Sequence, residues 1–122
     1  MTAELDHVQV TMPPGREDEA RAFYAGLLGL TEVEKPGPLQ ARGGVWFAEG
    51  IHVSGEERFI PARRAHPALR VGDLDALAVR LAAAGCVVEW DDRWPGVRRF
   101  YTSDPFGNRL ELNTREKEAE RS

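Results

Sequence analysis

The pattern of apolar and polar positions predicts a strand, a helix and three more strands in the first half of the chain. Apolar and polar residues alternate along residues 5–12, which is typical of a half-buried strand, and a Pro-Pro-Gly sequence ends the alternation. Over residues 17–28 the apolar positions recur at helical spacing, and Gly29 follows where a left-handed cap belongs. Three strands are then predicted, at residues 30–35, 44–49 and 51–56.

The second half repeats this order of elements. Its helix begins after Asp73 or Asp75, either of which can cap it, carries three leucines on one face and ends at Gly85. Strands are predicted at residues 66–71, 86–91, 97–103 and 109–114. The pattern therefore predicts an α+β fold of two βαβββ modules in a single domain. Their bounds are about 4–57 for module one, 58–65 for a linker, 66–114 for module two and 115–122 for a charged tail.

Composition narrows the class of protein. The 122 residues are 42% hydrophobic and 30% charged, as in an ordinary globular domain. The net charge of -4 argues against nucleic acid as a partner, and no apolar run approaches the ~18 residues of a membrane span. Cys86 is the only cysteine, so an internal disulfide is impossible and a reducing cytoplasm is the expected location.

Four residues with metal-binding side chains occupy matching places in the two modules. His7 and His66 open the modules and lie 59 positions apart, and His52 and Glu111, in the last strands, are also 59 apart. A duplicated unit that pairs about a pseudo-twofold axis brings such positions towards one point. Three imidazoles and a carboxylate would suit Zn, Ni, Fe(II), Mn or Co. For His52 alone, a solvent-facing polar residue would give the same strand pattern, and that alternative stays open.

Further residues are expected to line a substrate pocket. Gln9 shares a strand face with His7, aromatic side chains can form an apolar wall, and arginines can supply charge. The predicted lining residues are Gln9, Trp46, Arg70, Trp94, Arg99 and Tyr101. A hydrogen bond to a neighbouring strand is an equal alternative for Gln9, and a place in the core or an interface is an alternative for the aromatic residues.

Three stretches of the sequence carry a resemblance to a known family: "LDHV" in the first strand, "ARAFYAGLLGL" in the first helix and "FYTSDPFGNRLEL" near the end. They resemble the vicinal oxygen chelate superfamily, which includes glyoxalase I, methylmalonyl-CoA epimerase, fosfomycin-resistance proteins, extradiol dioxygenases and bleomycin-binding proteins. The resemblance covers about residues 5–114. Phe106 departs from it, because the family commonly has Asp in that turn.

The resemblance implies a fold in which the paired modules form a curved mixed sheet around a divalent metal ion. It also implies that His7, His66 and Glu111 are ligands of that ion. His52 lies where glyoxalase I-like members carry a fourth ligand, which is usually Glu. Relatives of this size are typically dimers, so a homodimer is expected.

These residues lead us to expect a metal-dependent, glyoxalase-like lyase or isomerase with a small oxygenated substrate. A six-coordinate ion with four protein ligands keeps about two positions open, which suits chelation of neighbouring oxygens. Glu111 would serve as ligand and general base, and a metal-bound hydroxide is the other candidate base.

Three alternatives use the same residues differently. His7, His66 and Glu111 alone would form the triad of an Fe(II) extradiol-type dioxygenase. A fosfomycin-type transferase would need a cationic pocket, for which Arg70 and the pair at 98 and 99 could supply charge. A non-catalytic, bleomycin-type drug-binding protein would bind its ligand without metal.

Overall fold

The computed structural model describes residues 1–116, and the chain divides into two compact units, Met1–Pro61 and Ala62–Ser122. The division falls inside the predicted linker at 58–65. The predicted charged tail lies outside the described residues from position 117 onward. Within residues 1–116, every helix is too short or too polar to cross a membrane.

The first unit contains a four-stranded mixed sheet and two helical segments. Its elements are β1 (Val8–Met12), α1 (Glu17–Arg21) with a π-helical continuation (Ala22–Leu27), β2 (Glu32–Val33), α2 (Gly37–Gln40), β3 (Val45–Phe47) and β4 (Ile51–Gly55). The strand order is β1-β4-β3-β2, with β1 parallel to β4 and the other pairs antiparallel. All four predicted strands and the first helix are confirmed. The sequence did not predict α2, which is one turn long.

The second unit repeats the arrangement. It comprises β5 (Ala68–Arg70), α3 (Leu74–Ala83), β6 (Glu89–Asp91), β7 (Val97–Ser103) and β8 (Arg109–Arg115). The strand order is β5-β8-β7-β6, again with one parallel pair, β5 with β8. Of the two predicted caps, Asp73 is the one used, since its Oδ1 accepts the backbone N–H of Ala76 at 3.0 Å. Gly85 follows α3 with φ of 85°, as predicted.

Each sheet has an apolar face and a polar face, because side chains alternate along a strand. In the first unit, Tyr24 of the helix lies against Phe47 of β3, with ring centroids 5.6 Å apart, and both are buried. The same core contains Met12, Val45, Ile51 and Val53. In the second unit, the buried residues are Leu74, Leu77 and Leu81 of α3 with Phe100, Leu110 and Leu112 of the sheet. The α+β class is confirmed.

Strand register places the predicted ligands at equivalent positions in the two units. His52 of β4 pairs with Gln9 of β1 on one side and with Trp46 of β3 on the other. Glu111 of β8 pairs in the same way with Ala68 of β5 and Tyr101 of β7. His7 lies two residues before Gln9, the β1 partner of His52, and His66 lies two residues before Ala68, the β5 partner of Glu111. The two histidines therefore occupy the same point of the repeat.

Candidate functional site

In the first unit, three rings on the polar face of the sheet are stacked. The His52 ring lies between the rings of His7 and Trp46, with a centroid distance of 4.1 Å and interplanar angles of 16° and 7° respectively. His52 is half-buried, and His7 is exposed immediately before β1. The two predicted ligands of this unit are therefore in direct contact.

The hydrogen bond of His7 determines which nitrogen could bind a metal ion. Its Nδ1 lies 2.7 Å from Oδ2 of Asp6. An ionised carboxylate only accepts hydrogen bonds, so in the neutral imidazole Nδ1 carries the proton and the lone pair is on Nε2. Burial, and then the neighbouring His7, lower the pKa of His52. His52 therefore stays neutral near pH 7, which is the form that coordinates metals.

In the second unit, His66 and Glu111 are paired. His66 Nδ1 donates to the backbone carbonyl of Arg64 at 2.8 Å, which again leaves the lone pair on Nε2. That Nε2 lies 3.5 Å from Oε1 of Glu111, whose side chain is only 4% exposed. Ligand atoms about 2.1 Å from a tetrahedral ion stand ~3.4 Å apart, which is close to the separation of these two side chains.

Two other side chains hold the Glu111 carboxylate. Arg99 Nη1 donates to Oε1 at 3.1 Å, and Asn113 Nδ2 donates to Oε2 at 2.9 Å. Arg99 also reaches Asp91, 3.5 Å away, whose pKa is held far below its usual range mainly by hydrogen bonds from Arg93. Since a carboxylate has about four lone-pair positions, both Glu111 oxygens can still accept a cation or a proton.

The donor chemistry fits a divalent ion, and each unit supplies half of the predicted set. His7 and His66 both have Nδ1 engaged by an oxygen acceptor, an arrangement that orients metal-binding histidines. Within either unit, over residues 1–116, no group of three or more His, Cys, Asp or Glu side chains could hold a metal ion. The two pairs, each with its outer hydrogen bonds, are therefore what the structure offers to a metal.

Of the predicted pocket residues in the first unit, Gln9 and Trp46 lie beside the histidine pair. They line a pocket of about 420 Å³ together with His7 and His52. Gln9 is exposed on β1 and lies on the same face as His52, with which it pairs in the sheet. The polar face of this sheet therefore combines both predicted ligands with two predicted pocket residues.

The remaining predicted pocket residues belong to the second unit. Tyr101 meets the His66 ring edge-on at 5.3 Å, and the Arg109 guanidinium lies over its ring. Trp94 is 45% exposed in the loop before β7 and lies beneath the Arg99 guanidinium, 5.3 Å from the ring centroid. Arg70 is exposed on β5, opposite Asn113 of β8.

Three residues that contact the candidate site residues were not predicted from the sequence. Asn113 stands two residues after Glu111 and so shares its strand face, a signal that the alternation already contained. Asp6 is adjacent to His7, and Asp-His neighbours in sequence carry no special signal. Asp91 contacts Arg99 because β6 pairs with β7 in a register that only the structure gives.

The turn before β8 positions Glu111. Asp104 Oδ1 accepts the backbone N–H groups of Phe106 and Asn108, each at 2.9 Å, and Asn108 returns a side-chain hydrogen bond to Asp104 Oδ2. Asn108 Oδ1 also accepts the backbone N–H of Ala62 at 2.9 Å. Phe106, where the family commonly has Asp, is buried at 9% exposure, so this departure adds apolar contact to the turn.

Comparison with known proteins finds a matching family model and a similar solved structure. The family model of the glyoxalase-like domain matches residues 9–113. The crystal structure of a glyoxalase family protein from Bacillus anthracis is 46% identical, covers 94% of this chain and 97% of its own, and has a TM-score of 0.88. No curated protein gives a significant match.

Two more distant structures share the fold. Lactoylglutathione lyase from Agrobacterium tumefaciens is 23% identical, covering 93% of this chain and 94% of its own, with a TM-score of 0.68. A mutant of the fosfomycin resistance protein FosX from Listeria monocytogenes, complexed with Mn(II) and 1S,2S-dihydroxypropylphosphonic acid, is 19% identical. It covers 98% of both chains with a TM-score of 0.77. At these identities the likeness concerns the fold alone.

Proposed function

The chain belongs to the glyoxalase-like domain family of the vicinal oxygen chelate superfamily, and we propose that it is a metal-dependent lyase or isomerase with a small oxygenated substrate. The observation that carries the proposal is that His7 lies against His52 and His66 lies against Glu111, at equivalent points of the two units. All four are proposed ligands of a divalent ion (Zn, Ni, Fe, Mn or Co). The complex of the FosX relative with Mn(II) supports a divalent ion in this fold.

Glu111 is the proposed general base. Asn113 and Arg99 hold its two oxygens in a fixed direction, so the carboxylate is positioned before the substrate arrives. In the proposed reaction, Glu111 takes a proton from the carbon next to a substrate carbonyl and returns it to the neighbouring carbon. When bound, the metal ion supplies Lewis-acid stabilisation of the negative charge that develops on the substrate oxygen.

The residues around each pair have supporting roles in this proposal. Asp6 and the Arg64 carbonyl orient His7 and His66, so that Nε2 of each is available as a ligand atom. Gln9 and Trp46 would contact the substrate beside the histidines, and so would the predicted lining residues of the second unit. Those residues are Arg70, Trp94, Arg99 and Tyr101.

The test is a set of activity assays on the purified full chain, loaded separately with each candidate metal. We expect metal-dependent conversion of a hydroxyketone or of the methylglyoxal–glutathione hemithioacetal. Glu111→Gln should lower kcat by about 100-fold or more, the usual contribution of a general base. Glu57→Gln, the same change at an exposed residue, should leave the rate unchanged.

The purified chain also distinguishes this proposal from two of the alternatives. Oxygen uptake with catechols, after anaerobic loading with Fe(II), would instead identify a dioxygenase. Tight bleomycin binding by the metal-free chain, with no turnover in any assay, would identify a drug-binding protein. A cytoplasmic location and a homodimer remain predictions, and light scattering of the purified chain tests the second.

A further inference from the structure

A pocket of about 420 Å³ in the first unit lies beside the stacked rings of His7 and His52. Its floor is the polar face of the sheet, including Trp46. Its side is formed by the segment that connects β2 to β3, residues 34–44, from which Lys35 and Arg42 reach the pocket. The sequence did not single out this segment.

The side chains that line this pocket carry more positive than negative charge in an acidic protein, with the carboxylates of Asp6 and Glu17 just outside the lining. The whole chain has 20 Asp and Glu residues against 16 Lys and Arg residues. By contrast, the described residues that line this pocket include two cationic side chains, Lys35 and Arg42, and no carboxylate. Such a local excess of positive charge raises the concentration of small anions at the site.

The segment that carries the two cations is fixed by one hydrogen bond between its own ends and by another to Glu17. The ammonium group of Lys35 donates to the Gly43 carbonyl and has further N–H donors. The Glu17 carboxylate accepts the Gly44 backbone N–H at 2.8 Å. Gly44 has φ of 89°, and a Cβ there would lie 2.6 Å from the Val53 carbonyl oxygen, so only glycine allows this approach to β4.

We propose that this pocket binds the oxyanion group of a small organic acid, a carboxylate or phosphonate, through Arg42 and Lys35. Trp46 contacts the carbon skeleton of the same molecule. This inference rests on the proposed function, since His7 and His52 in the same pocket are proposed metal ligands, and it names the substrate class as a hydroxylated acid. Arg42 is the specificity-determining residue, because its guanidinium can form two parallel hydrogen bonds to one oxyanion group.

The experiment measures binding to the full chain by isothermal titration calorimetry, after metal removal with a chelator. The probes are mandelate, its neutral amide mandelamide and α-hydroxybenzylphosphonate, which share a flat ring and a hydroxyl. We expect both acids, or one of them, to bind at least about tenfold more tightly than the amide, as charge-assisted hydrogen bonds imply. The comparison of the two acids decides which oxyanion the pocket prefers.

Arg42→Gln should weaken binding of the preferred acid by about tenfold and leave mandelamide unaffected. Arg58→Gln, the same change at an exposed residue of this unit that does not line the pocket, should leave binding of the acid intact. Equal affinities for acids and amide, no saturable binding of either acid, or an acid affinity unchanged by Arg42→Gln would overturn the proposal. Because the titrations contain no metal, acid binding that depends on Arg42 would support this inference even if the chain proved to bind no metal. Metal-dependent turnover without a preference for the acids would support the proposed function and overturn this inference.

Discussion

Replacement of Arg99 by Met tests how the buried Glu111 carboxylate is neutralised. The Arg99 and Glu111 side chains are 14% and 4% exposed, and they are joined by a 3.1 Å hydrogen bond. Met keeps much of the apolar stem of Arg but removes its charge. In the metal-free variant, Glu111 retains the Asn113 amide at 2.9 Å, which carries no charge, and the His66 ring, whose Nε2 lies 3.5 Å from Oε1.

Removing one partner of a buried ion pair costs about 3–5 kcal/mol, since the other charge is left without compensation. Asn113 remains as a donor and Arg99 is partly exposed, so we expect the lower end, a loss of about 3 kcal/mol in the free energy of unfolding. The matched control is Arg98→Met, one position earlier in β7. Arg98 pairs with Asp75 at the surface, where the side chains are 38% and 69% exposed, and its loss should hardly change the stability.

The assay is urea unfolding followed by circular dichroism, first with a chelator and then with the metal that the chain binds best. A divalent cation next to Glu111 replaces the missing positive charge. Metal should therefore stabilise Arg99→Met by more than it stabilises the unmodified chain. Equal losses in Arg99→Met and Arg98→Met without metal would refute the reasoning that Arg99 neutralises Glu111.

Three further predictions concern stability. Gly44→Ala should lower the free energy of unfolding by about 2 kcal/mol or more, because φ of Gly44 is 89° and the new Cβ would meet the Val53 carbonyl. Gly26→Ala, whose Cβ would meet only ordinary contacts, should be neutral or stabilising by up to about 1 kcal/mol. Thermal unfolding compares the two variants. Asn108→Ala should cost about 2–3 kcal/mol in urea unfolding, since Asn108 is 1% exposed and bonds both Asp104 and Ala62. The lowered pKa of His52 means that, in metal-free protein as the pH is lowered below about 6.5, the unfolded chain binds more protons than the folded one. The free energy of unfolding should therefore decrease as the pH is lowered. His52→Gln should flatten this decrease, and a pH profile unchanged by the substitution would contradict the lowered pKa of His52.

The period-two pattern placed His52 and Glu111 on their strands correctly, whereas His7 and His66, predicted within strands, lie just before β1 and β5. Alternation around His52 and Glu111 predicted that each would lie on the opposite face from its apolar neighbours, and the register confirms this for both. The method works here because one face of each sheet is buried and a slip of one residue would expose the core. The predicted order of elements also recurs in the structure, where each unit contains one four-stranded sheet.

Other features depended on information that local patterns do not contain. The single turn α2 has proline at its start and no apolar periodicity, so the sequence contains no signal that predicts it. The position of Arg42, which follows α2, was therefore not predicted either. The contact of Arg99 with both Asp91 and Glu111 follows from the pairing of three strands. Strand pairing is a long-range property, and the sequence reading assigned Arg99 only a charge in a pocket.

The metal content of the purified full chain tests the central claim most directly. The chain is incubated with each candidate divalent metal, desalted and analysed by elemental mass spectrometry, together with His66→Ala, Glu111→Gln and the exposed control Glu57→Gln. Our account predicts about one ion per chain in the unmodified protein and the control, and a large loss in both ligand variants whose circular dichroism is unchanged. A chain that retains no divalent metal under any of these conditions, or ligand variants that bind it as well as the control, would contradict the account.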